Sequence, residues 1–233
     1  MLDPVKDKLI VALDLPTVHA ARELVDQLGD TVTFYKIGLE LVLAGGLGLA
    51  SDLIETYNKR VFLDMKLLDI GNTVERAVAT VAELGVDYLT IHGHDSKTLK
   101  AAIKGRGTSQ LRLLSVTVLT TLTDTDLKEQ GTTLSTDELV EKRALMAQQA
   151  GLDGVIASGR EAENIRKKTR PGFLIVTPGI RLPLVDAGDQ ARATTPTEAI
   201  HFGASHIVVG RPINASSNPK LAAEQFLAAI AEA

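Results

Sequence analysis

The chain has 233 residues, with 25 Lys and Arg against 29 Asp and Glu and a formal net charge of -4, so it lacks the broad positive field that nucleic-acid binding requires. A composition of 45% hydrophobic and 23% charged residues is globular rather than disordered, and the length suits one large domain or two small ones. The absence of Cys excludes disulfides, thiolate metal sites and Cys nucleophiles, and the absence of Trp with 3% aromatics leaves little for base stacking, so chemistry falls to Asp, Glu, Lys, His, Ser or Thr.

The first β-branched run covers residues 9–13, and residues 17–28 follow with apolar positions at helical spacing, which makes one βα unit. Further strand-like runs are expected at 32–37, 60–65, 88–91, 111–119, 154–157, 173–176 and 206–209. Helices are expected near 49–57, 73–84, 96–104, 136–150, 160–168, 195–202 and 220–231. Eight strands at about 29 residues per unit predict a (β/α)8 TIM barrel, an α/β fold. The competing doubly wound sheet would carry a Gly-rich turn after its first strand, whereas Leu13 is followed by Asp14-Leu-Pro-Thr-Val18. No Ser/Gly linker or charge block interrupts the chain, so residues 1–233 are expected to form a single domain. No run reaches the roughly 18 apolar residues of a membrane helix, and residues 1–8 are too polar for a signal peptide, so a cytoplasmic protein with no membrane partner is expected.

In such a barrel the catalytic groups collect where the strands end. Here the strand ends offer Asp14, Lys36, Asp64 with Lys66, His92, Thr117 to Thr120, Pro178-Gly-Ile-Arg181, and Gly210-Arg211. Asp64 and Lys66 are two apart, so on a regular strand they point to one side, while Val61, Leu63 and Met65 take the helix-facing side. Taken alone, this pair reads as a structural ion pair, because buried charges are tolerated only when closely matched. Asn72 stands three residues before Glu75 at the start of an amphipathic stretch, which predicts a helix cap. His92-Gly-His94 offers two imidazoles on one side of a strand end, and packing beside the charged cluster is favoured over metal binding.

The segment Val61-Phe-Leu-Asp64-Met-Lys66-Leu-Leu-Asp69-Ile-Gly-Asn-Thr73-Val74 carries the pattern D-x-K-x-x-D-I-G-x-T. It resembles the signature of the orotidine 5′-monophosphate decarboxylases. The resemblance extends in order through Val11-Ala-Leu-Asp14, Tyr35-Lys36-Ile-Gly38, Val116-Thr-Val-Leu-Thr120, Thr177-Pro-Gly-Ile-Arg181, Gly188-Asp-Gln190 and Val209-Gly-Arg211-Pro-Ile213.

The resemblance implies a decarboxylase that converts orotidine 5′-monophosphate to uridine 5′-monophosphate with neither metal nor organic cofactor. It assigns Lys36, Asp64, Lys66 and Asp69 to a catalytic array of alternating charge, with Asp14 and Lys36 on the ribose hydroxyls and Thr120 on the pyrimidine edge. Arg181, Gln190, Gly210 and Arg211 would hold the phosphate, and the glycines after strands seven and eight suit that role on physical grounds as well. It further implies that Ile70 is among the substrate-binding residues and that the protein is a homodimer in which Asp69 and Thr73 reach the partner's site. Two alternatives are weighed against it. A magnesium-dependent sugar-phosphate decarboxylase shares D-x-K-x-x-D but is disfavoured by the Ile70 to Thr73 continuation, and a non-catalytic nucleotide-binding barrel leaves the buried charges unused.

Overall fold

The computed structural model describes residues 3–183 and 194–233. Strands β1 (Leu9–Ala12), β2 (Phe34–Gly38), β3 (Arg60–Leu67), β4 (Tyr88–His92), β5 (Arg112–Val116), β6 (Gly154–Ile156), β7 (Leu174–Thr177) and β8 (His206–Val209) pair in parallel and in sequence order. The pairing of β1 with β8 closes the barrel, with Leu9 opposite Ile207 and Val11 opposite Val209.

Period-two alternation sorts the side chains into two layers. Ile10, Ala12, Phe34, Phe62, Tyr88, Leu114, Val176 and Val208 fill the barrel axis. Leu9, Val11, Tyr35, Val61, Leu63, Leu89, Leu113 and Ile175 face outward, into a larger core shared with the helices. Below the axial layer, the Arg60 guanidinium stacks 4.0 Å from the Phe34 ring and pairs with Asp87 and Asp7, so the partly buried cation at the barrel floor is matched by carboxylates.

The first half of the helical layer comprises α1 (Pro4–Asp7), α2 (Val18–Leu28), α3 (Leu39–Leu41), α4 (Leu47–Glu55), α5 (Gly71–Glu83) and α6 (Ser96–Arg106). It continues as α7 (Asp124–Glu129), α8 (Thr136–Ala150), α9 (Gly159–Lys168), α10 (Pro196–His201), α11 (Arg211–Asn214) and α12 (Pro219–Ala231). Thr17 caps α2 by accepting the Ala20 N–H at 3.1 Å, and the helix then buries Ala21, Leu24, Val25 and Leu28 against the barrel. Ser135 and Glu138 form the reciprocal capping box that starts α8. Among the described residues no helix is long and apolar enough to cross a membrane.

Three local expectations are corrected. The fifth strand ends at Val116 rather than at residue 119, because Arg143 takes the Thr117 carbonyl and the Thr117 hydroxyl donates to Ile156 O at 2.8 Å, which turns the chain away from the ladder. The segment beyond it contains α7, started by Thr123 and Asp126 and absent from the sequence reading. Asn72 is not a cap: α5 begins at Gly71 with the Ile70 carbonyl accepting the Thr73 N–H at 2.9 Å, and Glu75 pairs instead with Lys104 at 2.8 Å.

Candidate active site

One step toward the C-terminal mouth from the axial layer, the strands contribute Asp14 after Ala12, Lys36 after Phe34, Asp64 after Phe62, and Thr90 after Tyr88. These groups form a continuous polar array. The Lys36 ammonium lies 2.8 Å from Asp14 Oδ1 and 3.5 Å from Asp64 Oδ2, and the Lys66 ammonium lies 2.8 Å from the same Asp64 oxygen. Charges alternate along the row, so the buried Lys36 and the nearly buried Asp64 each face opposite charges. Burial would push the Lys36 ammonium down, but Asp64 and Asp14 outweigh it and leave the pKa above its ordinary value. For Asp64, burial pushes up, while Lys36, Lys66 and the Thr90 hydroxyl pull further down, leaving a carboxylate.

Two backbone features build this row, and the sequence reading saw neither. Gly38 ends β2 beside the Asp14–Lys36 pair, and a Cβ there would stand 2.8 Å from Asp14 Oδ1 and 3.1 Å from Lys36 Nζ, so glycine leaves room for the ions. Lys66 has φ 49°, in the left-handed region that costs a non-glycine residue about 1 kcal/mol. The ladder to β4 shifts at this point, with Leu63 opposite Leu89 and Leu67 opposite Ile91. Lys66 therefore meets Asp64 through a bulge and not by simple alternation along a flat strand. Thr90 Oγ1 accepts the Lys66 N–H and donates to Asp64 Oδ1, each at 2.9 Å.

The row forms one wall of a cavity of about 440 Å³, a volume suited to a small organic ligand. Val116, Val118 and Ile156 supply an apolar wall. Of the Thr-rich segment Thr120 lines this cavity, while Thr121 and Thr123 are exposed, with Thr123 engaged at the start of α7. At the far end stand Gly179, with φ 78°, Arg181, Gly210 and Arg211. Asn214, also missed in the sequence, lines the same end and donates to Ala12 O at 3.3 Å, tying α11 to β1 beside Asp14. Its side chain follows Gly210-Arg211 by one helical turn, a spacing that offers a signal in retrospect.

Other expected site residues are placed elsewhere. Asp69, Leu68 and Ile70 are exposed on the turn between β3 and α5, Thr73 is half-buried in the first turn of α5, and none lines the cavity of its own chain. The four-residue ionic row is thus Asp14, Lys36, Asp64 and Lys66, while the Asp69 carboxylate accepts its neighbour Ile70 N–H at 2.6 Å. Gln190, Gly188 and Asp189 lie outside the described residues. His92 and His94 pack with ring centroids 4.7 Å apart, and burial first, then His94 and Lys66, push the His92 pKa down to about 4. Among the described residues no group of three or more His, Cys, Asp or Glu side chains is arranged to hold a metal ion.

Residues 7–226 match the sequence model of the orotidine 5′-phosphate decarboxylase / HUMPS family. The chain belongs to this family. It is 49% identical over 228 residues to a protein named orotidine 5′-phosphate decarboxylase from Rhodopseudomonas palustris strain HaA2, covering 98% of this chain and 96% of that one. A protein of the same name from Caulobacter vibrioides is 50% identical over 220 residues, covering 93% and 94%. The crystal structure of orotidine 5′-phosphate decarboxylase from Lactobacillus acidophilus superposes with a TM-score of 0.83 at 36% identity, covering 95% of this chain and 98% of that one. Membership in the orotidine 5′-phosphate decarboxylase / HUMPS family accounts for the barrel and for the order of its strand-end motifs.

Proposed function

We propose that this chain decarboxylates orotidine 5′-monophosphate to uridine 5′-monophosphate in pyrimidine nucleotide synthesis. The carrying observation is the unbroken row Asp14, Lys36, Asp64, Lys66 on one wall of a cavity whose other end holds Gly210 and Arg211. Such a cavity has a fixed cation at one place and a site for an anion at another, which is what a nucleoside monophosphate that develops a carbanion requires.

In the reaction, the bond from C6 of the pyrimidine to its carboxylate breaks and the electron pair stays on C6. That pair lies in the ring plane, where the ring delocalises it poorly. The Lys66 ammonium stabilises it and then gives C6 a proton, and the resulting amine regains its proton from water. Asp64, held between two lysines, fixes the position of that ammonium. Asp14 and Lys36 hold the ribose hydroxyls, and Thr120 meets the pyrimidine edge. Arg211 takes the phosphate with two parallel hydrogen bonds, supported by backbone donors at Gly210 and by Arg181 and Gln190. The reaction so written uses neither metal nor organic cofactor. In the row, the Lys36 ammonium already occupies the space between the Asp14 and Asp64 carboxylates, which is where a bound cation would compete.

The working unit in this reading is a homodimer of single-domain barrels in the cytoplasm. Asp69, Ile70 and Thr73 extend from one chain to complete the other's site, and Asp69 faces the departing carboxylate. Two like charges about 4 Å apart at an effective dielectric near 20 repel by about 4 kcal/mol, which loss of carbon dioxide relieves. Support comes from the exposed apolar side chains that follow β2 and β3: Ile70 is 73% exposed and Leu43 87%, with Leu39, Leu47 and Leu68 also exposed.

The test is the fall in orotidine 5′-monophosphate absorbance on adding the purified protein in the presence of EDTA. Turnover unaffected by the chelator is expected. No turnover overturns the reading, and turnover abolished by EDTA and restored by magnesium would assign the site to metal-held enediolate chemistry.

A further inference from the structure

Thr90 is fully buried in β4, and its hydroxyl makes two hydrogen bonds to the Lys66 bulge, one to Lys66 N–H and one to Asp64. Because Leu63 faces Leu89 and Leu67 faces Ile91, the three residues Asp64, Met65 and Lys66 stand opposite the single residue Thr90. The ladder there lacks a regular backbone partner for the Lys66 N–H, and Thr90 Oγ1 supplies one at 2.9 Å. The same oxygen donates to Asp64 Oδ1 at 2.9 Å, while Asp64 Oδ2 receives the Lys66 ammonium at 2.8 Å. The two oxygens of one carboxylate therefore have different partners, Oδ1 the buried hydroxyl and Oδ2 the reacting lysine, with Lys36 also 3.5 Å from Oδ2.

We infer that Thr90 is a positioning residue for decarboxylation, aiming the Lys66 ammonium by fixing both its backbone and its counterion. The inference rests on the decarboxylase reading and deepens it. Accepting from one group while donating to another requires a hydroxyl, a demand that Ser meets and Val, of nearly the same shape, does not. Without that hydroxyl, Lys66 keeps its charge and Asp64 its two lysine partners at Oδ2, but the left-handed backbone at Lys66 loses its buried acceptor and Asp64 Oδ1 loses the donor that sets the carboxylate's orientation. A displacement of about 1 Å in a reacting group costs on the order of 100-fold in rate. Substrate binding should change little, because Thr90 does not line the cavity.

The experiment compares steady-state constants of wild type, Thr90→Val and Thr90→Ser with orotidine 5′-monophosphate, with product affinity measured by titration of uridine 5′-monophosphate. Thr90→Val should lower kcat about 100-fold with KM and product affinity within about threefold, and Thr90→Ser should return kcat to within about threefold of wild type. The inference is overturned if Thr90→Val keeps more than about a third of wild-type kcat, or if its defect appears in KM alone. It is equally overturned if a folded Thr90→Ser, which retains the hydroxyl, falls to the level of Thr90→Val. Should Thr90→Val fail to fold, Thr90→Ala takes its place under the same thresholds. Absence of turnover in the wild type would instead overturn the decarboxylase reading itself.

Discussion

Lys66 and Asp64 meet at 2.8 Å across a kink: the lysine takes φ 49° while its ammonium turns back to the carboxylate two residues earlier on the same strand. A left-handed lysine is a local cost, and the ion pair with the Thr90 bond offsets it. The kink lies at the residue proposed to stabilise the carbanion. Strain and chemistry coincide at one side chain.

Removal of that side chain should separate binding from turnover. Lys66→Ala is expected to retain uridine 5′-monophosphate affinity within about tenfold and to lose at least about 1000-fold in kcat, since the ammonium acts on charge that develops in the transition state. Retention of more than about a tenth of wild-type kcat, equivalent to about 1.4 kcal/mol in barrier, would deny Lys66 the main role. Lys66→Gly, equally inactive, should unfold at a higher temperature than Lys66→Ala, with a difference near 1 kcal/mol, because glycine accepts positive φ without strain. Thermal unfolding of the two variants side by side decides that point.

Arg211→Ala should lower kcat as well as raise KM. Binding energy from the unreacting phosphate helps hold the pyrimidine against Lys66, so its loss is felt partly in the chemical step. Saturation curves for the variant provide the check, and a rise in KM with unchanged kcat would mean that the phosphate binds ground and transition states equally.

The pH dependence of stability follows from His92. Burial, with His94 and Lys66, pushes its pKa from 6.5 down to about 4, so the imidazole is neutral in the folded protein while an unfolded chain would titrate near the ordinary value. Between those values the unfolded state binds more protons, and stability must fall as pH falls through that window. Asp64 adds a loss at lower pH: its depressed carboxyl contributes stability above the ordinary value of 3.8 that disappears as pH falls through the folded value. His92→Gln should therefore lose less melting temperature than wild type on moving from about pH 7 to about pH 4.5. Parallel melting curves across that interval would remove His92 as the cause.

Much of the site was readable because barrel geometry converts strand ends into a single mouth. Asp14, Lys36, Asp64, Gly210 and Arg211 could be placed together from the strand pattern alone, and the cavity lining unites them. Alternation could not reveal the bulge at Lys66, since a lysine gives no sequence signal for positive φ. Thr90 was legible in part, being a polar residue on the axial face of β4 above Tyr88, but the need for a hydroxyl arises only once the ladder to β3 is broken. The fifth strand was overextended because Val118 and Leu119 continue a strand-like apolar pattern, although they leave the ladder to wall the cavity. Asn72 looked like a cap because its spacing to Glu75 is right, yet the helix starts two residues earlier, at Gly71 with Ile70 in the cap position.

Asp69 offers a test of assembly. It stands exposed beyond the end of β3, outside the cavity of its own chain, whereas Lys66 lines that cavity. If each site takes Lys66 from one chain and Asp69 from the other, Lys66→Ala and Asp69→Ala homodimers are each nearly inactive for different reasons. A dimer containing one chain of each kind gathers both defects into one site, because the Lys66→Ala chain receives the altered Asp69 of its partner. The other site then has an intact lysine and an intact aspartate. Random exchange makes half the dimers mixed, each with one good site in two, so activity should recover to about a quarter of wild type. Unfolding and refolding the two variants together provides the exchange, and native mass spectrometry confirms that mixed dimers have formed. Activity that stays at the level of the single variants, with mixed dimers present, would mean that Asp69 serves its own chain. Recovery well above a quarter would mean that the Asp69→Ala homodimer was active from the start, which the unmixed sample measures directly.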